Sequence, residues 1–383
     1  MVGGLALALL ALLAWGRTAR PAIRALSVIV VSACLCLILT NGSLLALALL
    51  ALDVFLVVVT WQLAHRQRMA TRLGLVWLVI LVLTLIIAKM MQGDASALTA
   101  SPSAWVGVSY FMFRLIHVSL DARRGRFGDA TLSETLTYAL HPTTLIAGPI
   151  DRIQHHVMEQ RCTVAECSRY FADGLWRLFI GLFKKVALAT IFSSIHDVTR
   201  VNGVADAEIW LWLLSYAFYL YFDFAGYSDI AIGVARLLGL RLPENFANPY
   251  MQPNIARFWQ AWHITLSTWL RDYIFFPLSR TLLRRFGSRF SAPILLASHL
   301  TTMVVCGLWH GLSLGFLLWG VWHGLGLFVH SQIPALRQRF NLPTLPAPLS
   351  VLLTFVFVTL GWAFFANGFT NPVTLFERLL GFK

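Results

Sequence analysis

Apolar runs of about 20 residues recur along the whole chain, and a helix of that length crosses the ~30 Å hydrocarbon core of a bilayer. Clean runs occupy 2–15, 25–40, 44–63, 73–91 and 104–120. The next segment, 131–150, is only moderately apolar and carries His141-Pro142 and Gly148-Pro149 before the polar stretch Asp151 to Arg161. It predicts a proline-broken helix that returns to the side it left. A span over 172–195 then holds Lys184-Lys185 in its interior, and one over 208–222 runs into Asp223. Charges at such depths cost at least ~2.5 kcal/mol each and face a cavity, a partner or an interface. From Arg257 to Leu278 the pattern predicts one amphipathic helix lying along the membrane. Trp259, Trp262, His263, Leu266, Leu270 and Tyr273 share a face, while Arg257, Gln260, Ser267 and Arg271 point away. Three more apolar segments, 291–309, 312–330 and 348–366, complete the chain. The expectation is an all-α polytopic membrane protein of roughly nine to eleven transmembrane or re-entrant helices. It reads as a single membrane domain over 1–383: N-terminal helices over 1–127, a motif-bearing core over 131–330, and a C-terminal helix and tail over 348–383.

Composition sharpens this picture. The 383 residues are 58% hydrophobic and only 12% charged, with a mean hydropathy of +0.71. Those figures exclude a soluble globular enzyme, intrinsic disorder and a small disulfide scaffold. The formal charge of +13 is carried largely by arginines in short runs between spans rather than along one polar face, so nucleic acid is not the expected partner. The breaks alternate in charge. Arg17, Arg20 and Arg24, then Arg66, Arg68 and Arg72, then Arg123, Arg124 and Arg126 mark three basic loops, whereas Asn41–Ser43 and Gln92–Ser103 carry no arginine. The positive-inside rule sets the basic loops in the cytoplasm and the N-terminus outside. The first run lacks a basic n-region and a small-residue cleavage site and reads as retained. Cys34, Cys36, Cys162, Cys167 and Cys306 lack the spacing of a zinc or disulfide framework and read as apolar fillers.

Candidate chemistry centres on two histidines in aromatic surroundings, His263 in Trp-Gln-Ala-Trp-His and His310 in Gly-Leu-Trp-His-Gly. A neutral imidazole can take a proton from a hydroxyl at physiological pH; it can equally hydrogen-bond two helices together. His323 repeats the His310 context thirteen residues on, which on a continuous helix is the opposite face. No metal site is expected, since no histidine pair has helical ligand spacing with a carboxylate cluster beside it. Gly311-Leu312-Ser313-Leu314-Gly315 matches a hydrolase nucleophile elbow but opens an apolar span, which favours helix packing through Gly307, Gly311 and Gly315. Asp223 and Asp229 flank Gly226 in an aromatic stretch that suggests a broken helix lining a cavity. Either carboxylate is a base, an ion site, or an anchor for Arg257 or Arg271.

Four stretches together resemble the bacterial membrane-bound O-acyltransferases: Phe-Asp-Phe-Ala-Gly-Tyr-Ser-Asp (222–229), Pro-Glu-Asn-Phe (243–246), Arg-Phe-Trp-Gln-Ala-Trp-His-Ile-Thr-Leu-Ser-Thr-Trp-Leu-Arg-Asp-Tyr (257–273) and Gly-Leu-Trp-His-Gly (307–311). The resemblance is strongest over 145–330. It implies a central tunnel, an acyl thioester donor from the cytoplasm, either acetyl-CoA or an acyl phosphopantetheine carrier protein, and a hydroxyl acceptor from outside. No permanently bound cofactor is implied. His310 is then the catalytic histidine and His263 its companion; Trp259, Trp262 and Trp309 wall the donor passage, and Asp223, Arg271 and Asp272 are supporting polar residues. The setting implied is a bacterial inner membrane, with lipid around the helices and an extracytoplasmic protein that passes the acyl group on. Two branches compete, polysaccharide O-acetylation and D-alanylation of teichoic acid. Gly148-Pro149-Ile150-Asp151-Arg152 leans towards the second and Trp319-Gly320-Val321-Trp322-His323-Gly324 towards the first. The rival reading is a transporter or flippase in which Asp223, Asp229, Lys184 and Lys185 form an ion or substrate path.

Overall fold

A computed structural model describes residues 21–40, 44–91, 107–161, 170–201, 208–341 and 343–366. The first apolar run, the segment 92–106, Cys162, Cys167 and the tail beyond 366 lie outside the described residues. Every regular element among those described is helical. Among the described residues, seven helical segments are long and apolar enough to cross a membrane. The protein is therefore a multi-pass, all-α membrane protein. Its contacts gather into two units, one taking residues up to Ile180 with Ser228–Pro243, the other Gly181–Tyr227 with the chain from Glu244 onward.

In the first unit, α1 (Pro21–Leu39), α2 (Leu44–His65) and α3 (Arg72–Met91) follow the predicted runs closely. The helix α4 (Val108–Arg123) is buried nearly all round, Arg114 and His117 included, as expected of a helix enclosed by others rather than facing lipid. A capping box opens α5 (Leu132–Leu140): Thr131 Oγ1 accepts from the Glu134 N–H, and the Glu134 carboxylate accepts from the Thr131 N–H. The helix ends at His141-Pro142, as predicted, and one turn, α6 (Pro142–Leu145), follows. The buried Arg114 guanidinium supplies donors there. It donates to the carbonyls of Ala139, at 2.8 Å, and of Thr144.

The polar stretch forms α7 (Ile153–Arg161). His155 Nδ1 and Asp151 Oδ1 lie 2.8 Å apart, and His156 Nδ1 is 3.4 Å from Asp151 Oδ2. Burial alone would raise the Asp151 carboxyl, but hydrogen bonds from His155 and His156 outweigh it and hold the group below its ordinary value. The same hydrogen bond, donated to Asp151, raises His155 against its partial burial. Asp151 therefore stabilises the fold above its unfolded pKa near 4 and loses that contribution on acidification. His155 contributes fully below its unfolded pKa near 6.5 and loses its share as pH rises through the raised folded value. Protection from hydrogen exchange across 151–161, taken relative to the intrinsic amide rate at each pH, is expected to be greatest between about pH 4 and 6.5. Asp151→Asn is expected to flatten that dependence; an unchanged profile would mean that the pair does not hold the segment.

In the sequence, Gly226 between two carboxylates suggested a broken helix. Instead α8 (Phe171–Leu182), a π turn (Phe183–Leu188) and α9 (Ala189–Val201) run as one piece, and α10 (Ile209–Leu237) passes unbroken through Asp223, Gly226 and Asp229. The glycines serve close approach. A Cβ on Gly226 would lie 2.7 Å from the Lys185 nitrogen, and one on Gly233 would lie 2.7 Å from the Leu178 nitrogen. Each aspartate meets a cation carried on the neighbouring helix, Asp223 with Lys185 and Asp229 with Arg177. The anchoring role holds, but the partners are not Arg257 or Arg271.

The predicted amphipathic helix is likewise corrected. It divides into α11 (Ile255–Ala261), α12 (Ile264–Leu270), a second π turn (Arg271–Phe275) and α13 (Phe276–Phe286). The break falls at Trp262-His263 because the segment 245–247 competes for the helix ends: Ile264 N–H donates to the Asn245 carbonyl at 2.9 Å and Ala247 N–H to the Ala261 carbonyl at 3.0 Å. The face assignment survives the break, with Trp259, Trp262, His263, Leu266 and Leu270 buried and Arg257 and Gln260 exposed. The last elements among the described residues are α14 (Ser291–His310), α15 (Leu314–Phe340) and α16 (Ala347–Phe365).

Candidate active site

His263 sits at the break between α11 and α12 with φ 41° and ψ 54°, a left-handed conformation that costs a non-glycine residue about 1–2 kcal/mol. It is held there from the side. Asn245 Oδ1 accepts from Thr265 Oγ1 at 2.7 Å and pairs with His263 Nδ1 at 3.2 Å. An amide oxygen only accepts, so Nδ1 carries the proton and Nε2 bears a lone pair. Burial pushes the imidazole down to about 3, which keeps it neutral at physiological pH. Its ring packs edge-on against Phe224 with centroids 4.7 Å apart.

His310 is the last residue of α14, where Gly311 takes an extended conformation and the chain turns back into α15. Ser313 caps α15 by accepting from the Phe316 N–H at 3.5 Å, so its hydroxyl serves the helix start rather than a nucleophile elbow. Partly accessible, His310 touches the rings of Trp309, Phe365 and Trp319 at centroid distances of 4.5, 4.9 and 5.6 Å. The reversal also corrects the reading of His323. The opposite-face argument requires a continuous helix, and the turn at 311–313 folds α15 back along α14 instead. Trp319 then contacts both His310 and, at 4.8 Å, His323.

The remaining sequence candidates fall into two groups. Trp259 and Trp262 are buried in the aromatic layer: Trp259 meets Trp319 at 5.7 Å, and Trp262 meets Trp362 at 5.1 Å, which in turn meets Trp319 at 5.9 Å. A chain of ring contacts thus runs from His263 through Phe224, Phe246, Trp262, Trp362 and Trp319 to His310. Asp223, Arg271 and Asp272 are not in that chain. Asp223 is paired with Lys185, and Arg271 Nε lies 3.0 Å from the adjacent Asp272 Oδ1 on the second π turn. Sequence reasoning gave no role to Asn245, Trp319, Trp362 or Phe365. Asn245 and Trp319 lay inside recognised motifs; the positions of Trp319, Trp362 and Phe365 are set by the turn at 311–313 and by α16, which only the fold reveals.

Residues 60–366 match the membrane-bound O-acyltransferase family. The chain belongs to this family. It is 37% identical over 261 residues to the peptidoglycan O-acetyltransferase of Helicobacter pylori, covering 66% of this chain and 48% of that protein. It is 34% identical over 287 residues to a probable alginate O-acetylase of Pseudomonas aeruginosa, covering 72% and 52%. To a teichoic acid D-alanyltransferase of Streptococcus thermophilus it is 28% identical over 317 residues, covering 77% and 75%. The chain spans about half the length of the O-acetylases it matches.

Proposed function

We propose that this chain is an O-acyltransferase of the bacterial inner membrane. It moves an acetyl group from a cytoplasmic thioester donor to a hydroxyl acceptor, for modification of a cell-envelope polysaccharide. The observation that carries this is His310 itself, an accessible imidazole at the end of a membrane-length helix, set among aromatic rings and inside the family's matching region. By the positive-inside rule, Arg280, Arg284, Arg285 and Arg289 set the start of α14 in the cytoplasm. His310 then lies about 30 Å away, at the outer end, where a hydroxyl arriving from outside meets it. The same rule sets the N-terminus outside. The donor crosses by a tunnel in which Trp259, Trp262 and Trp309 exclude water, so that the thioester is transferred rather than hydrolysed.

In the step itself the acceptor oxygen bonds to the thioester carbonyl carbon as its proton passes to His310. The C–S bond breaks, and the leaving thiolate takes up that proton. His263, whose Nε2 lone pair can only accept, orients the acceptor through a second hydroxyl, because the reacting hydroxyl's one proton goes to His310. An extracytoplasmic partner completes delivery to the polymer. Acetyl is favoured by the 34–37% identity to O-acetylases; D-alanyl is the second reading, favoured by the 75% coverage of the D-alanyltransferase.

Purified protein in liposomes, given an envelope polysaccharide fraction, is expected to release thiol from labelled acetyl-CoA and to label the polysaccharide. Release from a D-alanyl carrier protein alone would select the second reading. Solute movement without thiol release from either donor would replace the transferase with a transporter.

A further inference from the structure

Three rings in mutual contact adjoin His310 through Trp319. Trp259, Trp319 and His323 meet pairwise at 5.7, 4.8 and 5.2 Å, and all three are buried, with His323 at 0% exposure. Trp259 Nε1, Trp319 Nε1 and both nitrogens of His323 have no hydrogen-bond partner. Buried polar groups are almost always paired, and leaving several unpaired in one place is costly. A purely structural ring at 323 would be served as well by phenylalanine. The backbone is adapted to the imidazole: Gly361 stands opposite it, where a Cβ would come within 2.8 Å of His323 Nε2. Two indole N–H groups can only donate, and a neutral imidazole donates once and accepts once, so the cluster holds a surplus of donors. Its complement is a neutral group with an exposed oxygen lone pair.

We propose that His323, with the indole N–H groups of Trp259 and Trp319, forms the hydrogen-bonding cradle for the carbonyl oxygen of the acyl thioester. This assignment rests on the acyltransferase reading and adds a group to it. Negative charge builds on that oxygen as the acceptor hydroxyl attacks and the C–S bond weakens, and preorganised donors in a water-poor site act on such charge. His263 is poorly suited to the task, because its only N–H is committed to Asn245. His310 is occupied with the proton. Trp319 links the two functions, since it contacts both His310 and His323.

The test uses the full chain in liposomes with acetyl-CoA and an envelope polysaccharide fraction. His323→Phe keeps a ring and removes both nitrogens. It is expected to melt at or above the wild-type temperature, because an unpartnered buried polar group is replaced by an apolar one, while kcat falls about 100-fold with little change in KM. Trp259→Phe removes one donor and is expected to cost about 10-fold, which tests the cradle should the His323 variant not fold. The second readout is binding. A ketone analogue of acetyl-CoA with a 13C carbonyl is expected to show a lowered C=O stretching frequency on the wild type, and the shift is expected to shrink in either variant. Wild-type kcat in both variants, or a carbonyl frequency indifferent to them, would overturn the proposal and leave the nitrogens bound to water. A wild type that releases no thiol would instead bring down the acyltransferase reading beneath it.

Discussion

Replacing His310 with alanine is expected to lower thiol release from the acyl donor by about a thousand-fold or more, the upper part of the range for loss of a general base. A free hydroxyl is too weak a nucleophile to open a thioester at neutral pH unless its proton is taken as the bond forms. His310 is suited to take it: the residue is partly accessible, ends its helix, and is flanked by Trp309, Phe365 and Trp319. The fold is expected to tolerate the change, because a half-buried side chain at a helix end gives up little packing when truncated. His310→Gln separates the alternatives. It keeps the length and the hydrogen bonding of the side chain but accepts no proton, so it is expected to be as inactive as alanine. A glutamine variant retaining a tenth of wild-type activity would mean that His310 binds rather than deprotonates.

Much of this site was legible in the sequence, for an identifiable reason. Aromatic and polar residues that punctuate apolar runs have few places to go in a bilayer, and so Trp259, Trp262, His263 and His310 stood out. Hydropathy also located the long helices well, because span length is set by the bilayer. What hydropathy could not convey was how one segment competes with another for hydrogen bonds. The break at Trp262-His263 arises from the backbone of 245–247 and the Asn245 side chain, residues far from the helix they interrupt. Periodicity over 257–278 reads only the helix's own faces, so it returned one helix where there are several pieces. Gly226 failed in the opposite direction: a glycine in a polar stretch looks like a break, but here it lets the Lys185 backbone approach. His323 was separated from His310 by arithmetic valid only on a continuous helix, and the turn at Gly311 voids it.

Gly320→Leu is expected to disable the protein through its backbone rather than its chemistry. The two helices α14 and α15 meet through glycine from both sides. A Cβ on Gly320 would fall 2.5 Å from the Met303 carbonyl oxygen and 2.8 Å from the Val304 Cα, and one on Gly307 would fall 2.2 Å from the Phe316 carbonyl oxygen. These obstacles are main chain, so rotamer changes give no relief and the helices themselves must separate. In a bilayer, where lipid tails are as apolar as leucine, close backbone approach supplies much of the attraction between helices. Overpacking a well-filled interface costs about 1–3 kcal/mol, and contacts with rigid backbone belong at the upper end or beyond. Separation would also move Trp319, which neighbours Gly320, away from His310 and so affect the reaction. Gly324 offers an internal control. Its nearest obstacles are the Leu300 Cα at 3.0 Å and the Leu300 side chain at 3.1 Å, which leaves room for a small adjustment. Melting temperature in detergent is therefore expected to fall little for Gly324→Ala, more for Gly320→Ala and most for Gly320→Leu, with thiol release falling in the same order. Equal melting of Gly320→Ala and the wild type would show that the hairpin is not held by close approach at this glycine. Loss of thiol release at an unchanged melting temperature would place the effect at Trp319 and the His310 face instead.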